Sequence, residues 1–357
     1  MSARTGRKPE DLFVPSGRSI ASGRVSESKH QEEKQQQPQR DESKNDYADD
    51  ETTDDLDRSP LQLEHMIGFG AEYSNSVIML PDSDSRYVKC MDSLVAIENL
   101  NDPSEQKILR GHDMQVTTLA VSPSGQYVAS GQIGTKNFKG FAAPVFVWDT
   151  LTKKRLVILR GLSQRVNILA FSTDERLVCG CGEDSLLYIW ELSTGEVIFG
   201  KQFPTPVSFL KWVEHKVFNR KVSYELVFGV GAQIFQGSFN FEAERVQWSL
   251  SITPYMMPTS GGIVRNSYCA CLSPTKEFVY VGSTGAEMLV FGRAVKPVFR
   301  CGIPVCTNGV RSIACLSDGD VICGGGDGIL RRLHGFDLSW EIVQQVFTVK
   351  GNTLRLE

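Results

Sequence analysis

The residues with the most chemical promise lie between Gly131 and Thr150, in "GQIGTKNFKGFAAPVFVWDT". Glycines and lysines ahead of an apolar run are the ingredients of a phosphate-cradling loop. In such a loop successive backbone N–H groups face the anion and a lysine follows at once, which requires G-x-x-x-x-G-K-[ST]. Here Gly131 is followed by Gly134, Thr135 and Lys136, so the spacing does not fit. The sequel is also wrong: "APVFVWD" reads as a strand with Pro144 at its entry, not as a helix whose N-terminus could hold an anion. A second glycine cluster, "GGGDG" from Gly324 to Gly328, reads as a tight hairpin turn in which Gly and Asp supply positive φ.

Two cysteine pairs, Cys179/Cys181 and Cys269/Cys271, are worth testing as metal ligands. A C-x-C spacing puts both sulfurs on one face of a strand, whereas zinc knuckles use C-x-x-C, and no histidine lies near either pair in sequence. Packing of free thiols as small hydrophobes is the better account, and no metal or cofactor is expected. The five histidines, His30, His65, His112, His215 and His334, pair with no recognisable Ser or Cys nucleophile. No catalytic residue is expected.

The elements that carry these residues follow from composition and periodicity. The chain has 357 residues, 41% hydrophobic and 22% charged, with a formal net charge of -4. That is close to the average of soluble globular proteins and gives no sign of nucleic-acid binding. The start shows no apolar stretch like a secretory signal and no run is long enough to span a bilayer, so a cytosolic chain with reduced cysteines is expected. Residues 1–59 are polar and charged, basic at first and acidic in "NDYADDETTDDLD", and a disordered tail is expected there.

From residue 60 to 357 short apolar runs alternate between Gly, Asp, Ser and Pro, which is all-β patterning. A unit of strand, polar turn and strand recurs six times, with turns at Pro81, Pro123, Thr173, Val213, Pro274 and Asp318. The steps of 42, 50, 40, 61 and 44 residues have the period of a β-propeller blade. Blades are expected near 60–110, 111–161, 162–205, 206–264, 265–307 and 308–357, with insertions in the two long steps. Two copies carry WD-type strand ends, "VFVWD" with Trp148 and Asp149, and "LYIWEL" with Trp190. A buried Trp fills space between blades and its N–H needs a partner, which a chain of His112 and Ser130 can supply. Gly111, His112, Ser130, Gly131, Gln132, Trp148, Asp149, Asp184 and Trp190 are therefore expected to be structural residues of the blades.

The ordered set "LQLEHMIGF", "LRGHDMQVTTLAVSPSGQYVASGQ", "VFVWD", "FVYVGSTGAEMLVF" and "NGVRSIACLSDGDVICGGGDGILRRL" resembles the N-terminal half of the cilia- and flagella-associated protein 52 family. The EML-type microtubule-associated proteins share the entry and the "GQ" before a long loop and are a close alternative. The resemblance implies a WD-repeat β-propeller scaffold without catalytic residues, lying inside the axonemal doublet and bound to tubulin and other axonemal proteins. It implies no membrane, nucleic-acid or small-molecule partner. The long tail departs from the family pattern, and the family would continue past Glu357. Six blades imply an incomplete seven-bladed ring, or one closed by other protein, with "LQLEHMIGF" as a candidate closing strand.

Partner contacts are expected on projecting loops, where aromatic and basic residues suit an acidic protein surface. The candidates are Lys136, Phe138, Lys139 and Phe141 in the long loop, and Tyr255, Met256 and Met257 in "SITPYMMPTS". A cytosolic adaptor, such as a ubiquitin-ligase substrate receptor or signalling scaffold, is the alternative use of the same fold.

Overall fold

A computed structural model describes residues 63, 65–134, 141–219, 221–242, 247–257, 265–294, 296–336 and 339–347. Two units divide the chain, Met1–Glu51 and Thr52–Glu357, and every described residue belongs to the second. The polar stretch 1–59 and the loop residues Lys136, Phe138 and Lys139 lie outside the described residues.

The described secondary structure is β throughout and forms six four-stranded antiparallel sheets. The first holds β1 (Val77–Met79), β2 (Arg86–Met91), β3 (Leu94–Asn99) and β4 (Gln106–Leu109). The second holds β5 (Val116–Val121), β6 (Tyr127–Gln132), β7 (Val145–Asp149) and β8 (Arg155–Leu159). The third is β9 (Val166–Phe171), β10 (Leu177–Gly182), β11 (Leu186–Glu191) and β12 (Val197–Gln202). The fourth is β13 (Val207–Phe218), β14 (Lys221–Val230), β15 (Gln233–Glu242) and β16 (Gln247–Pro254). The fifth is β17 (Ser267–Leu272), β18 (Phe278–Ser283), β19 (Glu287–Gly292) and β20 (Val298–Pro304). The sixth is β21 (Val310–Cys315), β22 (Val321–Gly325), β23 (Ile329–Phe336) and β24 (Ser339–Phe347).

Each sheet is a meander in chain order, and the first strand of each packs against the first strand of the next, from β1 through β5, β9, β13 and β17 to β21. That is the blade arrangement of a propeller. Period-2 patterning gives every inner blade two apolar faces. Val88, Val95 and Ile97 of blade one meet Leu119, Val128 and Trp148 of blade two. Ala129, Val145 and Val147 meet Leu169, Val178 and Trp190 of blade three. Cys179, Cys181 and Ile189 meet Trp212, Tyr224 and Phe228 of blade four. Phe209, Val227 and Ile234 meet Val279, Leu289 and Phe291 of blade five. Tyr280, Met288 and Val290 meet Ile313, Cys323 and Leu333 of blade six.

Six sheets joined by five cores form an open series: among the described residues no sixth core joins the last sheet to the first. The outer face of blade one is polar instead. Lys89 Nζ lies 2.6 Å from Glu98 Oε1, both side chains are buried, and Tyr87 and Gln106 also donate to Glu98. Met66 caps this cluster: its carbonyl accepts from Lys89 Nζ (3.0 Å) and from Gln106 Nε2 (2.9 Å), and its N–H donates to Gln106 Oε1 (2.5 Å). Leu63 and His65–Phe69 are therefore a strap over blade one and not the strand considered for "LQLEHMIGF".

The two long repeat steps have different causes. In blade two the excess falls between the end of β6 and the start of β7, where residues 133–134 and 141–144 are described. In blade four it is strand: β13, β14 and β15 have 12, 10 and 10 residues. "SITP" is the end of β16, which corrects the expectation that this stretch is a projecting loop.

Candidate interaction surface

The strongest local chemistry is a buried polar chain in blade two. Gly111 (φ 152°) turns the backbone so that His112 enters the blade, and a Cβ there would lie 3.2 Å from Phe146 and 3.3 Å from Trp148. The His112 ring stacks on Phe146, with centroids 4.3 Å apart. Trp148 Nε1–H donates to Ser130 Oγ (2.8 Å), and Ser130 Oγ lies 2.6 Å from His112 Nε2. His112 Nδ1 lies 2.6 Å from Gln132 Oε1, and Gln132 Nε2 donates to Asp113 Oδ1 (2.6 Å). Because the Gln132 oxygen only accepts, Nδ1 carries the proton and Nε2 accepts from Ser130. A neutral imidazole satisfies every partner. Burial, the largest cause, holds its pKa down at about 4 despite the Gln132 hydrogen bond and the Asp113 charge.

This chain has the order of a nucleophile, a base and an orienting group, but its geometry is that of packing. Ser130 and Gln132 are fully buried, the serine oxygen is already engaged by Trp148, and the orienting group is an amide with no charge to stabilise an imidazolium. The remaining structural candidates are turn and core residues. Asp149 accepts from the N–H groups of Leu151 (2.9 Å) and Thr152 (2.7 Å) and closes the β7–β8 turn. Asp184 accepts from Ser163 N (2.9 Å) and Oγ (2.6 Å) and from Leu186 N (3.1 Å), tying the β10–β11 turn to the strand entry before β9. Trp190 is fully buried, and its N–H is met by the Arg160 carbonyl (2.8 Å) rather than by a serine. Gly131 sits where a Cβ would press into Val166 of blade three, at 2.6 Å.

The described residues at either end of the β6–β7 connection are tied to the strand entry before β9. Gln164 N–H donates to the Phe141 carbonyl (3.0 Å), Gly134 N–H donates to the Gln164 carbonyl, and isolated bridges pair Ile133 with Arg165 and Ala142 with Ser163. Phe141 is 49% exposed. Met256, after β16, is 76% exposed. Tyr255 is a correction: it is fully buried, edge-on to Phe291 at 5.2 Å with its hydroxyl on Gln236 Oε1 (3.3 Å), so it is core of the blade-four to blade-five interface and offers nothing to a partner. Met257 also packs against that core. Alternation decides this, since a residue directly after a strand can still point inward.

Cysteine chemistry is likewise internal. Cys179 and Cys181 are buried free thiols, and burial pushes the Cys179 thiol up to about 12. Among the described residues no group of three or more His, Cys, Asp or Glu could hold a metal ion.

Two stretches, residues 103–136 and 153–191, match the family described as "WD domain, G-beta repeat". The solved structures of U3-55K and of the RRP9 WD40 repeats share the fold, each with a TM-score of 0.57 at 15% identity, covering 78% of this chain and 84% and 82% of theirs. The chain is a WD-repeat β-propeller. Among curated proteins it is 30% identical over 281 residues to cilia- and flagella-associated protein 52 of Chlamydomonas reinhardtii, covering 77% of this chain and 43% of that one. It is 26% identical to the Homo sapiens protein of the same name over 79% of this chain and 44% of that one. Relatives of the same name in Bos taurus and Mus musculus are similar to it at 27% and 25% identity. The chain spans under half the length of these relatives.

Proposed function

We propose that this chain is a non-enzymatic scaffold of cilia and flagella, which binds tubulin and neighbouring proteins of the axonemal doublet and stabilises the axoneme for motility. The observation that carries the reading is the match to proteins named for cilia and flagella over 77% of the chain. The blades support it, because the polar chemistry concentrated in blade two is consumed by packing and offers no group to a reaction. Phe141 and Met256, both exposed, are proposed contacts, and Lys136, Phe138 and Lys139, which lie outside the described residues, are proposed from their residue types alone.

Two measurements test this. The full chain should pellet with microtubules polymerised from purified tubulin, and a tagged copy should mark the axoneme. Protein that stays in the supernatant and is diffuse in the cytosol would sink the reading in favour of the adaptor role.

A further inference from the structure

Blades five and six hold six of the chain's nine cysteines in one shared core. Cys306 and Cys323 are buried in it, and Cys269, Cys271, Cys301 and Cys315 pack against it half-buried. Strand alternation puts two of these thiols in facing positions. Along β17, Ala270 and Leu272 point into the core shared with blade four, so Cys269 and Cys271 point toward blade six. Along β21, Ile313 and Cys315 point back toward blade five.

The Cys269 thiol donates to the Val310 carbonyl (3.9 Å), which sets the start of β17 beside the start of β21. Further along the same two strands the Cys271 thiol donates to the Cys315 sulfur. This contact polarises the pair. It pushes the Cys271 thiol up, and it draws the Cys315 thiol below the ordinary range although burial, Asp318 and Asp320 oppose it. Burial sends the neighbouring Cys301, Cys306 and Cys323 thiols the other way. Cys323 is also occupied, since its thiol donates to Met288 Sδ (3.8 Å). Cys315 therefore combines thiolate character, partial access to solvent and a second thiol already in contact.

We propose that Cys271 and Cys315 are a peroxide-sensitive dithiol that closes to a disulfide across the interface of blades five and six. The Cys315 thiolate attacks one oxygen of hydrogen peroxide. An S–O bond forms and the O–O bond breaks, so the sulfur is oxidised to a sulfenic acid and the peroxide is reduced. The hydroxide that leaves takes up the proton that Cys315 had released and becomes water. The Cys271 sulfur then attacks the sulfenic sulfur: the S–S bond forms, the S–O bond breaks, and the departing oxygen carries off the Cys271 proton as a second water. Two thiols and one peroxide become one disulfide and two waters.

The position of the bond gives it a consequence. Among the described residues blade six meets one apolar core, the one it shares with blade five. A covalent tie between the first strands of the two blades closes the chain from residue 271 to residue 315. It restricts the unfolded chain and holds blade six in place when that core loosens.

The test uses the full chain, reduced and then freed of reductant, with hydrogen peroxide as the oxidant. The intact mass should fall by two hydrogens, and peptide mapping should find Cys271 linked to Cys315. The urea midpoint should rise, and dithiothreitol should reverse these changes. Cys315→Ser should slow the loss of thiol by roughly tenfold. Cys271→Ser should leave the sulfenic acid standing on Cys315, where dimedone traps it. Cys301→Ser, which alters another half-buried thiol of the same core, should leave the Cys271–Cys315 link intact. Mapping of the unaltered chain decides the matter even where a variant does not fold. Thiols that survive peroxide, a link between other cysteines, a link between two chains, or a sulfinic acid at Cys315 with Cys271 still a thiol would each overturn the proposal.

Discussion

Ser130 Oγ joins a Trp donor to a His acceptor inside blade two, and both would be orphaned without it. Ser130→Ala should cost about 2–4 kcal/mol, because two buried polar groups lose their partner, and the urea midpoint should fall accordingly. His112 adds a pH dependence. Its folded pKa of about 4 lies below the ordinary 6.5, so in between the unfolded chain binds a proton that the folded chain refuses. Stability is therefore full above about pH 6.5 and falls as the pH drops toward 4, by on the order of 3 kcal/mol. His112→Asn starts less stable and should lack that slope in urea titrations across the window. Cys179, with its thiol pushed up to about 12, should resist alkylation by iodoacetamide in the native protein and react only on unfolding. The residue types of this chain were legible as a Trp needing a donor partner. That blade three would answer Trp190 with a backbone carbonyl was not, since a carbonyl leaves no trace in residue identity.

At the scale of elements, tight blade contacts set which glycines are required. Gly131→Ala would drive a methyl into Val166 across the blade-two to blade-three interface and should destabilise by about 1–3 kcal/mol. Adding Val166→Ala should return part of that loss, and a double-mutant cycle on urea midpoints measures the coupling. The strand periodicity and turn residues made all six repeats readable. The 61-residue step correctly signalled extra material in blade four, yet its cause was misplaced in "SITPYMMPTS". The signal that locates it is the alternation in "WVEHKVFNRKVSYELVF", which keeps a period of two through a turn and so lengthens two strands together.

For the whole propeller, the face of blade one that joins none of the described apolar cores is covered by polar chemistry. Burial would push the Glu98 carboxyl up, but the Lys89, Tyr87 and Gln106 hydrogen bonds hold it below the ordinary carboxylate range. Removing the cation leaves that charge buried, so Lys89→Met should cost about 3–5 kcal/mol and loosen the Met66 strap. The strap should then be cut faster by protease, and Lys89→Met/Glu98→Gln should recover stability relative to Lys89→Met alone. An unchanged cutting rate would show that the strap does not depend on the pair.

The sequence alone determined the repeat, the β class and the WD-type strand ends, because period, turn residues and large aromatics are local properties of the chain. Its ordered motifs also carried the resemblance to a ciliary family. Only the tertiary structure decided which side chains are free. Tyr255 went to a core and Phe218 to a rim because exposure depends on what the neighbouring blade covers. The same holds for the ends of the series: the Lys89–Glu98 pair is distant in sequence from the Met66 carbonyl that it holds, and only the fold brings them together.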